Sequence, residues 1–457
     1  MKPERNKARE IMKPKGIDLT KGSPGKGLLL FALPMILGNL FQQFYNMVDT
    51  IIVGKYVGED ALAAVGASYA LTTVFVMIAI GGGTGASVVI SQYLGAKENG
   101  KMKTAVSTAM ITFLGTSMIL GIFGIVTNRM ILSILGTPEN VLGDAALYLR
   151  IYFTGLPFLF MYNILSAIFN SLGDSKTSLY LLIFSSVLNI FLDLFAVRLF
   201  NMGVAGVAVA TVVAQGIAAV LSFSILLKRL KVYQDAQCYF DITILKKMVK
   251  VAIPSIIQQS IVSVGMLLVQ SVVNGFGSSV LAGYTAGMRL ESICIVPMIS
   301  MGNAVSTFTA QNIGAGQTER VRKGYRVSYG IVSVFAVIIC VVLLVFKYPL
   351  IQMFLEGEKG GEAFETGVAY LSFIAYFFVF IGLKASTDGV LRGAGDVFVF
   401  TAANLVNLAI RVSFAFLMAS VIGVQAVWCA VPIGWTVNYI ISGLRYLTGQ
   451  WSRKKLV

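Results

Sequence analysis

The chain has 457 residues, 56% of them hydrophobic and only 12% charged, with a mean hydropathy of +0.80. A soluble domain cannot hide that much apolar surface, so the composition excludes one and points to a chain that crosses a membrane many times. The formal net charge of +15 does not mark a nucleic-acid binder, because the Lys and Arg residues lie between apolar runs rather than on one domain.

Histidine is absent, so proton chemistry falls to carboxylates, tyrosine or lysine. The four cysteines (Cys238, Cys294, Cys340, Cys429) are scattered and form neither a disulfide framework nor a metal spacing. No cofactor is expected.

Residues 1–26 are polar and strongly basic and read as a cytoplasmic segment. The apolar run that follows is too long for a signal peptide and lacks a small-residue cleavage site, so it reads as an uncleaved span. It contains Ala32–Gly54, ALPMILGNLFQQFYNMVDTIIVG, with Pro34 near its start and Asp49 deep inside. Proline removes a backbone donor and kinks a helix. A carboxylate at membrane depth costs a few kcal/mol or more and faces a cavity or a partner. Gln42, Tyr45, Asn46 and Asp49 lie three or four apart and share one face. That face is either a polar stripe joining helices or the wall of a cavity with a cation- or proton-binding acid.

Twelve spans are expected, at about 28–53, 61–94, 103–127, 145–171, 178–199, 204–227, 251–274, 281–312, 326–346, 367–391, 397–420 and 424–446. The second and eighth exceed what a bilayer needs. The loops on one side, with both termini, carry 27 of the 36 Lys and Arg. The positive-inside rule puts that side, both termini and the central segment 228–250 in the cytoplasm. The opposite loops are mildly acidic, as at Glu356, Glu358, Glu362 and Glu365. The organisation expected is a segment 1–26, a six-helix lobe 27–228, a linker 229–250 with an amphipathic portion, a second six-helix lobe 251–447 and a tail 448–457.

The halves repeat. Ala32-Leu33-Pro34 matches Ala252-Ile253-Pro254, Gln92–Ala96 matches Gln311–Ala315, Gly173-Asp174 matches Gly395-Asp396, and Gly203-Val204 matches Gly423-Val424. Each half has an even number of spans, so the repeats are parallel, and two like bundles facing each other leave a cleft, as in alternating-access transporters.

Few ionisable residues fall within spans. Asn189 and Asp193, four apart in the fifth span, share a face, and Thr211 lies in the sixth. With Asp49 they make an all-oxygen set suited to a proton or a hard cation such as sodium. Two neighbouring carboxylates do not both ionise cheaply, so a shared proton load is expected. The competing readings are a solvated acid for Asp193 and small-residue helix packing for Thr211. In the second half Val269 matches Asp49 and Arg411 matches Asn189. There Lys384 and Asp388, four apart, either neutralise each other or meet substrate, and Arg289 and Glu291, two apart, do not face each other. The coupling site is therefore expected in the first half alone. The glycine run GGGTGAS (81–87) lacks a Lys-Ser/Thr and a preceding strand, so it reads as a close-packing or bending element rather than a phosphate loop. SLGDSK and RGAGD read as turns and caps.

In order and spacing, ALP with VDTIIVG, LAAVG, SQYLGA, SLGD, VLNIFLD, GVAGVAVAT, AQNIGAG and LRGAGD make the chain, over about residues 20–448, resemble the multidrug and toxic compound extrusion (MATE) family. The resemblance implies an all-α membrane protein of twelve helices in two pseudo-symmetric lobes. It also implies export of organic, cationic or aromatic drugs in exchange for protons or sodium, without enzymatic chemistry. By motif it puts Asp49, Asn189, Asp193 and Thr211 at the cation or proton site, as metal ligands only if sodium is the coupling ion, and Pro34 at a bend of the first helix. The branch with acids in the seventh and tenth helices fits less well, since the seventh has Gln258 and Gln259 here. Gln42, Tyr45, Asn46, Gln258, Lys384, Asp388 and Arg411 are the candidates for lining a drug cavity. The partners expected are small-molecule drugs and the bilayer of a cell membrane, with no nucleic acid and a monomeric state. The alternative is a flippase of lipid-linked oligosaccharides with a related fold.

Overall fold

The computed structural model describes residues 16–57, 59–233, 238–355 and 361–457. The segment expected at 1–26 is outside the described residues up to residue 15, and so are Glu356 and Glu358. Among the described residues all regular structure is helical: α1 (Pro24–Ile52), α2 (Glu59–Gly95), α3 (Asn99–Ile134), α4 (Glu139–Thr154), α5 (Leu156–Ser171), α6 (Ser175–Arg198), α7 (Gly203–Leu230), α8 (Ile242–Asn274), α9 (Ser278–Gly314), α10 (Thr318–Gln352), α11 (Glu362–Ile374), α12 (Phe378–Ala394), α13 (Val397–Ile422) and α14 (Gln425–Leu447). Lipid cannot satisfy a free backbone N–H or C=O, so spanning segments close their hydrogen bonds within a helix. Many large apolar side chains are exposed along the helices, for example Val126 at 76% and Leu417 at 72%.

Eleven helical stretches are long and apolar enough to span, and α4 with α5 makes a twelfth that is bent by 52°. The fourth span is thus broken where the sequence predicts one run. Pro157 has no N–H to continue the ladder. Gly155 lacks the Cβ that would collide with the side chain of Val212 on α7. The tenth span is likewise interrupted, by the 3-10 turn Ala375–Phe377 between α11 and α12. The third and ninth spans, α3 and α10, are longer than predicted, at 36 and 35 residues. Their polar ends stay helical beyond the apolar window that hydropathy detects. Residues 242–250, expected in the linker, form the first turns of α8. Asp241 caps them by accepting from Thr243 N (2.7 Å) and Ile244 N (3.3 Å), which holds its carboxyl below the usual aspartate range.

The chain forms two compact units, one holding the residues up to Asp18 and Leu37–Ile253, the other Leu19–Ile36 and Pro254–Val457. The division falls inside α1 just after Pro34 and inside α8 immediately before Pro254. Within each unit the packing is the same: α2 packs on α3, α4 and α5 as α9 packs on α10, α11 and α12. Likewise α7 packs on α5 and α6 as α14 packs on α12 and α13.

The repeated Gly-Asp turns use one device twice. Gly173 and Gly395 adopt positive φ (80° and 91°), a conformation that costs glycine little. Asp174 then pairs with Arg229 from the end of α7, and Asp396 accepts from Arg445 Nε (2.6 Å) near the end of α14. The glycine run also has a packing role. A Cβ at Gly85 would lie 2.5 Å from the Met248 carbonyl oxygen and 2.8 Å from Ala252 N, so α2 and the start of α8 touch through backbone. Gly85→Ala is therefore expected to destabilise by about 1–3 kcal/mol through overpacking. Gly66→Ala on the same helix, where a Cβ meets nothing within 4 Å, is the neutral control. Thermal unfolding in detergent, followed by tryptophan fluorescence, compares the two.

Candidate functional site

Two rungs join α1 to α6 in the first unit. On one, the Tyr45 hydroxyl donates to Asn189 Oδ1. One turn further along both helices, Asp49 meets Asp193, with the carboxyl groups within reach of a single hydrogen bond. The spacing of four residues on each helix produces this register, because residues four apart stack on one face. Asp193 has no exposed surface and Asn189 is 3% exposed, which removes the reading of Asp193 as a solvated acid.

Among the described residues, neither Asp193 oxygen nor Asp49 Oδ1 has a hydrogen-bond donor, and Asn189 Nδ2 has no acceptor. Two ionised carboxylates face each other as acceptors only. One proton turns that contact into a donor–acceptor pair, and a buried acceptor left unsatisfied costs about 1–3 kcal/mol or more.

The wall beside the acids is a buried cluster of Val53, Val197 and Val207 with Tyr148 packed against it. Tyr148 is within electrostatic reach of both acids, and it stacks on Tyr152 at 6.3 Å with the rings 17° apart. These two tyrosines escape the sequence reading, although their spacing of four in YLRIYF puts them on one helix face. Thr211 lies one turn beyond Val207 and donates to its carbonyl oxygen (3.0 Å). Its proton is used within α7, while the hydroxyl oxygen keeps acceptor capacity. Gln42 and Asn46 are exposed and take no part in the rungs. Pro34 lies in α1 ahead of Gly38, which packs on Leu179 and Leu182 of α6.

The second unit is built differently. Lys384 Nζ donates to Asp388 Oδ2 (2.9 Å) and to Asn404 Oδ1 (3.0 Å), and Ser442 Oγ donates to Asp388 Oδ1 (2.7 Å). Gln258 Nε2 reaches Asn404 Oδ1 at 3.5 Å. Lys384 and Asp388 therefore do neutralise each other, inside a connected network. Glu291 accepts from Tyr370, with Arg411 in electrostatic reach, and a Cβ at Gly434 would lie 2.9 Å from Arg411 Cγ.

The family model described as MatE matches residues 34–195 and 254–417, one match in each half. The chain belongs to the MatE family. It is 31% identical to the probable multidrug resistance protein YpnP of Bacillus subtilis, covering 97% of this chain and 99% of that protein. It is 29% identical to YoeA of the same organism, also a probable multidrug resistance protein, over 96% of each chain. The fold resembles an outward-facing multidrug resistance MATE family transporter of the MOP superfamily, with a TM-score of 0.87 at 24% identity, covering 96% of this chain and 99% of that one. The MatE chain is thus a multi-pass membrane transporter, and these likenesses do not favour the flippase alternative.

Breaking a buried ion pair from one side costs about 3–5 kcal/mol, whereas replacing both partners with apolar groups is close to neutral. Lys384→Met is accordingly expected to lower thermal stability sharply, and adding Asp388→Leu is expected to recover much of it. Melting curves of the two variants in detergent measure this.

Proposed function

We propose that the protein exports organic, cationic or aromatic compounds in exchange for protons, with the Asp49–Asp193 pair as the coupling site. The observation that carries this is the pair itself: two carboxyl groups within hydrogen-bond reach at membrane depth, without a donor for either Asp193 oxygen among the described residues. Such a contact is favourable with one proton and unfavourable with none, so its state follows proton supply. The multidrug resistance names of the relatives support the class of substrate.

Sodium is the second reading for the coupling ion, with Asp49, Asp193, Asn189 and Thr211 as ligands. It is the weaker one, because Asn189 Oδ1 already accepts from Tyr45, which leaves it less able to turn toward a cation. A hard cation needs several oxygens turned toward it at once.

In the proposed cycle, losing the proton puts two like charges against each other across α1 and α6. Their repulsion drives the second half of α1 away from α6, and Pro34, where the helix lacks one backbone hydrogen bond, is where it yields. The charge bias of the loops supports both termini being cytoplasmic.

The test is dye efflux in everted vesicles with proton and sodium gradients imposed separately. Efflux is expected on the proton gradient alone. Asp49→Asn and Asp193→Asn are each expected to lower it about tenfold or more, within the 5–150-fold range of typical coupling free energies. Full efflux in both variants overturns the coupling site, and strict dependence on sodium overturns the proton.

A further inference from the structure

Just ahead of α1 the segment Leu19–Gly22 forms no helix, so its backbone groups need partners elsewhere. They find them on α9 and α10. Leu19 N donates to Gln311 Oε1 (3.3 Å), and Leu19 O accepts from Asn312 Nδ2 (3.1 Å). Arg320, in the first turn of α10, directs its guanidinium at three carbonyls of the segment. Its Nε donates to Leu19 O (3.2 Å), Nη2 to Lys21 O (2.6 Å) and Nη1 to Gly22 O (2.7 Å). The guanidinium also lies over the Phe308 ring of α9 at 5.7 Å. The Leu19 side chain is 1% exposed.

This anchor belongs to the same compact unit as the first half of α1, and the unit boundary falls just after Pro34. A Cβ at Gly25 would lie 2.8 Å from Val327 Cγ1 on α10, so the start of the helix is held closely too. Asp49 lies beyond Pro34. A bend at a proline moves the side that is free, and here the tied side is the one without the acid. A similar segment stands ahead of α8, held by different chemistry. Cys238 N donates to Thr104 Oγ1 (3.4 Å) and Asp241 N to Thr108 Oγ1 (3.0 Å), both on α3, and the boundary falls immediately before Pro254. In the register that matches Gln92 with Gln311, Lys101 stands where Arg320 does, and it pairs with Glu98 (2.7 Å). The clamp on three carbonyls thus precedes the helix that bears the acid.

We infer that Arg320 is a positioning residue for coupling. By fixing Leu19–Gly22 it makes the first half of α1 the held arm against which a change of charge at Asp49 swings the second half. The inference rests on Asp49–Asp193 being the coupling site. Without the clamp the whole helix shifts instead of bending, and drug movement is released from the gradient.

Two measurements on the full chain test this. Arg320→Ala is compared with Arg322→Ala, which removes the same charge from an exposed pair with Glu319 on the same helix. In detergent, hydrogen exchange over residues 17–23 is expected to quicken about tenfold or more in Arg320→Ala, since a hydrogen bond to a charged group contributes that much. Arg322→Ala is expected to leave it unchanged. In everted vesicles, gradient-driven dye efflux is expected to fall about tenfold in Arg320→Ala, while dye exchange with no gradient imposed stays within about twofold. Leu19→Ala loosens the segment with Arg320 in place and is expected to repeat both results. Melting curves establish that the variants fold. Unaltered hydrogen exchange in Arg320→Ala and Leu19→Ala overturns the anchor. Driven efflux and dye exchange that fall together, or that both persist, overturn its role in coupling. Full driven efflux in Asp49→Asn alongside its loss in Arg320→Ala overturns the coupling acid and keeps the clamp.

Discussion

Buried polar groups have no water to fall back on, and among the described residues almost every buried acid, within a span or at a turn between spans, is satisfied from within the protein. Asp174 has Arg229, Asp396 has Arg445, Asp388 has Lys384 and Ser442, and Glu291 has the Tyr370 hydroxyl. Each of these holds helices of one unit together. Asp49 and Asp193 break the pattern, since each acid's neighbour is another acid. Where a fold gives four buried acids a donor and leaves two facing each other, the exception is where a mobile charge has a place.

The two units show that one packing scheme carries two different polar interiors. The helix pairings coincide, and so do the Gly-Asp turns with their arginines. The fifth-span position that is Asn189 in the first half is Arg411 in the second, and the first-span position that is Asp49 becomes Val269. An arginine is permanently charged, so it cannot load and release a proton or make room for a small cation. The second unit instead holds a lysine–aspartate pair within a hydrogen-bonded network. Packing constrains the small residues and turns of both halves alike, while the few polar positions in the spans have diverged.

Much of this is legible in the sequence because the membrane simplifies the code. Apolar length gives the spans, and the spacing of Tyr45, Asp49, Asn189 and Asp193 gives the faces that meet. The illegible parts are those that depend on a neighbour. At the bend in the fourth span Val212 comes so close to Gly155 that a Cβ would not fit, a contact that Pro157 alone does not reveal. Tyr148 and Tyr152 look like ordinary membrane aromatics until the packing of α4 brings Tyr148 within reach of the acids and Tyr152 against it. The polar ends of the third and ninth spans are invisible to hydropathy, because packing, with Met102 and Thr104 or Val321 and Tyr325 buried, rather than apolarity keeps them helical.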